Sequence, residues 1–303
     1  MVNETTDRRV QFDFELEFSN GGGLQGQAFR LDIDGENISD EELADFVIRD
    51  LRLLMVRKVR ILKKHVLHER HKRSIPLLKK AEVTTARLVD LSHTIVQGMT
   101  TYKGFPAPLI CDFMSREASR QFYEKGTSFQ IGRIEMIANT GTYLDSPFHR
   151  FAEGKDISEL DLPSVAGLEA VVVRMEGMAS RAVDRQAFLP VDVRDKAVLV
   201  HTGWAQHWGT DRYFEGHSFL TESAAAYLKE QGAILVGIDS LNIDDTSGGA
   251  RPVHTTLLGA GILIVENLCN LEKLPTSGFS FSAVPVKVKG MGTFPVRAYA
   301  RVQ

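Results

Sequence analysis

The hydrophobic pattern of this chain changes period several times, and each change predicts an element. Residues 10–18, VQFDFELEF, alternate strictly. Phe12, Phe14, Leu16 and Phe18 share one side, and Gln11, Asp13, Glu15 and Glu17 the other. A period of two predicts a strand with one buried face. SNGGG at 19–23 interrupts it, and AFRLDI resumes it with Phe29, Leu31 and Ile33, which predicts a β-hairpin. The glycines do not read as a phosphate loop, because no Lys-Ser/Thr follows and no helix opens directly after them.

The period then turns helical. Ser39 and Glu42 form a capping box. Leu43, Phe46, Val47, Leu51, Leu54 and Met55 continue as a helical stripe. Residues 10–65 therefore predict a small β-β-α unit within an N-terminal domain of residues 1–75. The stretch KKHVLHERHKRSIPLLKK at 63–80 is basic and carries Pro76. It reads as a solvated linker, with 76–85 as the joint between domains. His65, His68 and His71 recur every three residues there, but no acid or cysteine completes a metal set.

A larger domain is expected over 86–303. Apolar runs at 171–175 (VVVRM), 197–203 (AVLVHTG), 233–239 (AILVGID) and 261–267 (GILIVEN) predict buried strands. A helix is expected from Thr221 as N-cap to Gly232 just past its end. The tail, FSAVPVKVKGMGTFPVRAYARV, alternates and contains prolines, which suits strands or an edge ribbon. Strands interleaved with helices predict an α/β or mixed α+β fold.

Composition narrows the function classes. The 303 residues are 43% hydrophobic and 25% charged, with a net charge of −3. No basic field points to nucleic acid. Cys111 and Cys269 lie outside any C-x-x-C spacing, so no disulfide framework is expected. The polar start MVNETTDRRVQ and the lack of an apolar run of ~20 residues predict a soluble, cytoplasmic protein acting away from membranes.

Two clusters carry candidate chemistry. NTGTYLDSPFH, residues 139–149, places Asp145, Pro147 and His149 at alternate positions. Pro147 argues against a helix and for a rigid loop after a strand, suited to a preorganised site. VHTTLLGAGILIVEN places His254 just before a short helix and Glu266 at the end of an apolar strand. A carboxylate ending a buried strand needs an ion, a metal or a donor. The loop GMTTYKGFPAP with Phe105, and HTGWAQHWG with Trp204 and Trp208, could line a pocket for a planar substrate. His93 reads as a packed histidine after a strand.

Together these segments resemble the "putative cyclase" family, which includes bacterial kynurenine formamidases and isatin hydrolases. The resemblance rests on DLSHTIVQGM, TGTYLDSPFHRF, HTGW, LVGID and HTTLLGAGILIVENL, and covers most of 86–303. It implies a swivelling β/β/α domain, here with the small N-terminal β-β-α addition. It also implies a homodimer or homotetramer acting on a small molecule. In the hydrolase members the central motif reads His-x-Gly-Thr-His-x-Asp-x-Pro-x-His. Its first two histidines and the aspartate bind a divalent metal, and its last histidine transfers protons. A later His and Glu share the aspartate in a second metal position. Here Asp145, His149, His254 and Glu266 are retained, while Asn139 and Tyr143 stand where the two histidines would be. Classical arylformamidase activity is therefore not the expectation.

The resemblance implies one ion, Zn²⁺ or Mn²⁺, on Asp145, His254 and Glu266, and no organic cofactor. His149 would then act as acid and base while an amide, lactam or lactone opens. In the alternative, no metal binds, and His149, Tyr143 and Asn139 run a cyclisation or dehydration, the last two as oxyanion donors. A third reading is a non-catalytic scaffold. Against it, four polar groups costly to bury unpaired are retained together.

Overall fold

The computed structural model describes residues 8–33, 37–51, 53, 55–68, 86–100 and 102–303. The chain forms two compact units, Met1–Val83 and Thr84–Gln303. The expected joint at 76–85, together with Leu54 and His71, lies outside the described residues.

In the first unit, β1 (Arg8–Phe18) and β2 (Gly23–Ile33) form the expected hairpin. Its alternation is real: Val10, Phe12, Phe14 and Leu16 are buried, and Phe29, Leu31 and Ile33 pack on the same core. Helix α1 (Asp40–Asp50) opens with the Ser39/Glu42 capping box and buries Leu43 and Val47. The helix is shorter than its stripe predicted. Leu51 caps it, Met55 adopts a positive φ, and the chain turns into a third strand, β3 (Val56–His68). The unit is therefore β-β-α-β, with sheet order β2-β1-β3.

This corrects the reading of residues 63–68 as the start of a solvated linker. They continue β3, whose cations face the acids of β1: Asp13 lies opposite Lys63, Glu15 opposite Arg60 and Glu17 opposite Lys58. Val59 and Ile61 point to the core. A register shift between Asp13 and Phe14 breaks the period of two along β3, so its alternation is hidden in the one-dimensional pattern.

The second unit is built on one mixed sheet. Its elements are β4 (Arg87–Asp90), β5 (Leu109–Met114), α2 (Arg116–Ser119), β6 (Ile131–Glu135), β7 (Tyr143–Asp145), β8 (Leu168–Arg174) and β9 (Ala182–Val183). They continue with β10 (Ala197–His201), β11 (Phe219–Leu220), α3 (Glu222–Gln231), β12 (Leu235–Ile238), α4 (Pro252–Gly259) and β13 (Leu263–Glu266). The last are β14 (Phe279–Ser282), β15 (Thr293–Pro295) and β16 (Tyr299–Val302). Nine strands run in the order β15-β7-β13-β12-β10-β8-β14-β16-β4. The central four, β13, β12, β10 and β8, are mutually parallel, and the flanking strands are antiparallel.

The central strands are buried on both faces, which is why they read as unbroken apolar runs. Val172, Leu199, Leu235 and Val265 enter one core with Leu144 and Phe281. Val171, Val173, Val198 and Val236 enter the other, against Ala224 and Leu228 of α3 and Leu257 and Leu258 of α4. Helix α3 starts and stops as expected, with the Thr221 hydroxyl accepting from Ala224 N and Gly232 at φ 79°. No helix among the described residues is long and apolar enough to cross a membrane.

Candidate active site

Strand register assembles the site. Antiparallel pairing of β7 with β13 sets Tyr143 opposite Glu266, and Asp145 opposite Ile264. On its other edge β7 pairs with β15, which sets Asp145 opposite Thr293. Residues 143 and 145 project to the same side of the strand. Ahead of β7, Gly141 turns the chain at φ 71°, and a Cβ there would meet Ile95 at 2.9 Å. Thr142 then clamps the turn, accepting from His93 N and donating to Asn267 O. After β7, residues 147–149 form a short 3-10 turn that ends on His149.

His254 does not precede its helix; it is the third residue of α4. Asp244 caps that helix, accepting from Val253 N at 2.8 Å and from His254 N at 3.0 Å. The same carboxylate accepts from His254 Nδ1 at 2.6 Å. With Nδ1 held, Nε2 faces Asp145 Oδ2 at 3.7 Å and Glu266 Oε1 at 3.6 Å. Glu266 Oε1 accepts from Ile243 N, and its Oε2 accepts from the Tyr143 hydroxyl at 2.5 Å. Asp145, Asp244, Glu266, His254 and Tyr143 are all buried.

Charge in this knot follows from burial and proximity. Burial alone would lower the His254 pKa, but Asp145, Asp244 and Glu266 outweigh it and hold the ring cationic, with a pKa of about 10. Glu266 is pushed above the usual carboxylate range, first by burial, with His254 pulling back and Asp145 adding to the rise. Tyr143 is raised well above the ordinary phenol value by burial and then by the neighbouring carboxylates. It is therefore a neutral phenol. Its single proton is committed to Glu266, which leaves none for the oxyanion role considered from the sequence.

The knot forms the floor of a pocket of about 390 Å³. Asn139, Tyr143, His149, His254 and Glu266 line it, and so does Phe105. Trp204 and Trp208 do not. Trp204 donates its indole N–H to Tyr213 O, and Trp208 stacks on His93 at 3.9 Å. Both bulky indoles are used in packing. Burial lowers the His93 pKa to about 4, so it stacks as a neutral ring.

Several lining or supporting residues escaped the sequence reading. Tyr102, Arg150, Asn242 and Arg251 line the pocket, and Asp244 and Thr293 support it. Asp244 carried a signal in DSLNIDD, where acids and an amide cluster straight after the buried strand AILVGI. Thr293 carried none, since only strand register places it beside Asp145.

Comparison with known proteins places the second unit. A sequence profile described as "Putative cyclase" matches residues 89–245, more than half of the chain. The chain belongs to the cyclase family. A kynurenine formamidase of Geobacillus thermodenitrificans is 30% identical over 175 residues, 57% of this chain and 81% of that one. One of Bacillus cereus is 26% identical over 219 residues, covering 72% and 98%. A Bacillus stearothermophilus structure described as a predicted metal-dependent hydrolase superposes with a TM-score of 0.58 at 26% identity, covering 72% and 99%. Isatin hydrolase A of Labrenzia aggregata gives 0.62 at 22% identity, covering 72% and 94%, a likeness of fold. The mixed sheet with its helices is thus the cyclase-family fold.

Family membership raises the question of a metal, and the donors answer it. Among the described residues, Asp145 Oδ2 is buried with no hydrogen-bond partner. An unpaired carboxylate oxygen 3.7 Å from an imidazole nitrogen has room for an ion that displaces the ring proton. Asp145, His149 and His254 gather donor atoms within 4.8 Å of one another, and Glu266 Oε1 adjoins the same His254 nitrogen. One nitrogen and carboxylate oxygens suit a divalent ion such as Zn²⁺ or Mn²⁺. Tyr143 and Asn139, hydrogen-bonded to each other, fill the side where the family motif has two imidazoles. The donor set fits one ion.

Proposed function

We propose that this chain is a metal-dependent cyclase-family hydrolase that opens an amide, lactam or lactone at the Asp145–His254–Glu266 knot. The observation that carries the reading is Asp145 Oδ2, without a hydrogen-bond partner among the described residues, facing the nitrogen of His254 beneath a pocket. Relatives named kynurenine formamidase and isatin hydrolase support hydrolysis of a C–N bond.

A divalent ion on Asp145, His254 and Glu266 would supply Lewis acidity for polarising a carbonyl and acidifying water. The remaining work belongs to the chain. His149, about one third exposed, takes the proton of the attacking water and returns it to the departing nitrogen, or to the departing oxygen of a lactone. Glu266 and Asp145 are shielded from bulk water, so electrostatic interactions at the floor are strong. Tyr102 and Phe105 stack with centroids 5.5 Å apart and offer a flat wall. Arg150 and Arg251 add positive charge to that wall, which favours a flat substrate with an anionic group.

The cationic His254 favours a second reading. Held by three carboxylates, its imidazolium could itself supply the positive charge, and the reaction would be a metal-free cyclisation or dehydration driven by His149.

Elemental mass spectrometry of purified protein separates the two. About one Zn or Mn per chain, lost in the Asp145→Ala/Glu266→Ala double variant, is expected, followed by turnover in a screen of amides, lactams and lactones. No metal uptake after incubation with Zn²⁺ and Mn²⁺ would overturn the hydrolase mechanism in favour of the metal-free one.

We also propose that the chain is a homodimer or homotetramer. The ribbon of β5 and β6 stands apart from the main sheet, with Phe113 72% exposed and Leu109, Ile131 and Ile134 also exposed. A lone two-stranded ribbon is marginal in water, and such an apolar surface calls for cover. Light scattering should show an oligomer that Phe113→Glu/Ile134→Glu converts to monomer. A monomeric parent chain would sink the idea.

A further inference from the structure

We propose that Thr293 is a positioning residue that fixes the tautomer of His149 and ties that ring to Asp145. The inference rests on the acid/base role of His149 proposed above, and concerns how the chain makes that histidine competent.

The Thr293 hydroxyl sits between the two groups. It is hydrogen-bonded to Asp145 Oδ1 and lies 2.8 Å from His149 Nδ1. A hydroxyl has one proton to give, and a carboxylate can only accept. The Thr293 proton therefore goes to Asp145. Its oxygen is left as an acceptor, so His149 Nδ1 must be the donor and must carry the ring proton. Asp145 Oδ1 lies 3.6 Å from the same nitrogen, which adds a second reason for a proton there.

The backbone leaves Thr293 little freedom to do otherwise. It is buried and paired opposite Asp145 in the sheet. The preceding Gly292 O accepts from Ser146 N at 2.8 Å and from Ser146 Oγ at 3.0 Å. Gly292 also lies so close to His149 that an added Cβ would overlap its backbone. The glycine lets β15 approach the 3-10 turn, and the threonine then bridges the gap.

The consequence is chemical. With Nδ1 protonated, the lone pair of a neutral His149 is on Nε2, the nitrogen left for the pocket. That atom accepts a proton from water. The imidazolium so formed is stabilised through Thr293 by Asp145, and it returns the proton from Nε2 to the leaving nitrogen. This is the logic of an imidazole oriented by a buried carboxylate, with a hydroxyl interposed. Asp145 is then used on both sides: Oδ1 orients His149 and Oδ2 faces His254.

The test reads the tautomer directly and needs no substrate. Protein labelled with ¹⁵N-histidine is studied by long-range ¹H–¹⁵N correlation, at a pH raised until the His149 ring is neutral. The His149 signals are assigned by their loss in His149→Gln. The expected result is a protonated Nδ1 and a bare Nε2, retained in Thr293→Ser and replaced by a mixture or by the Nε2–H form in Thr293→Val. An Nε2–H ring in the parent chain, a metal-bound ring nitrogen, or an unchanged tautomer in Thr293→Val would each overturn the proposal. Once a substrate is in hand, Thr293→Val should lower kcat by ~10–100-fold with KM within about threefold, while Thr293→Ser stays within about threefold of the parent. Equal losses in both variants would also overturn it. Failure of every substrate would count against the hydrolase reading and leave the tautomer result standing by itself.

Discussion

Replacing His254 by alanine is expected to destabilise the second unit by about 3–5 kcal/mol, because it strips the cation from three buried carboxylates. Asp145, Asp244 and Glu266, all buried, would face one another without compensation. For a unit of this size the melting temperature should fall by roughly 10 °C. A fall of less than about 2 °C, against that scale, would mean that the ring carries no stabilising charge. The pH dependence has a defined sign. The folded-state pKa of His254 is raised from 6.5 to about 10, so the contribution of its imidazolium is complete below 6.5 and is lost as pH rises through about 10. The gap in melting temperature between parent and variant should close over that upper range. A divalent ion needs the Nε2 lone pair, so its binding must expel this proton. Affinity for Zn²⁺ should therefore climb by about tenfold per pH unit below the His254 pKa. Calorimetric titration in buffers of different ionisation enthalpy would show the released proton. A pH-independent affinity would place the ion elsewhere.

His149→Ala should behave in the opposite way, with activity lost and stability kept. The ring is a third exposed and makes its polar contact through Thr293, so its removal opens no sealed cavity. We expect kcat to fall by ~10²–10⁴-fold, the usual worth of a positioned acid/base. The melting temperature should move by no more than about 2 °C, as for surface changes. Turnover that survives the substitution would remove His149 from the mechanism; a parent chain inactive on every substrate would instead revive the scaffold reading. The two histidines are thus separable by experiment, one as the electrostatic centre of the knot and one as its proton carrier.

The legible parts of the fold were those in which a residue's environment repeats along the chain. The parallel strands are buried on both faces, so 197–200 and 263–265 had to be continuous apolar runs. Helix α3 announced itself at both ends because caps are local: a threonine hydroxyl reaches three residues on, and a glycine takes up a left-handed φ. β3 failed for the same reason in reverse. Its register shift removes the simple period, and its lysines and arginines are matched by acids on β1, about forty to fifty residues away in sequence.

The site divides along the same line. Asp145, His149, His254 and Glu266 stood out in the sequence as titratable groups at strand ends and in a proline-stiffened loop. Local pattern determined that much, and the family resemblance showed that Asn139 and Tyr143 stand in place of two imidazoles. Who touches whom was decided only by strand pairing. The register of β7 against β13 gives the Tyr143 proton to Glu266, and its register against β15 brings Thr293 between Asp145 and His149. The fold likewise decided that Trp204 and Trp208 pack away from the pocket lining while Tyr102 and Arg150 line it. Hydrogen bonds and ion pairs act over a few ångströms, and a sequence measures only distance along the chain. Here 148 residues of chain separate Thr293 from the carboxylate that takes its proton.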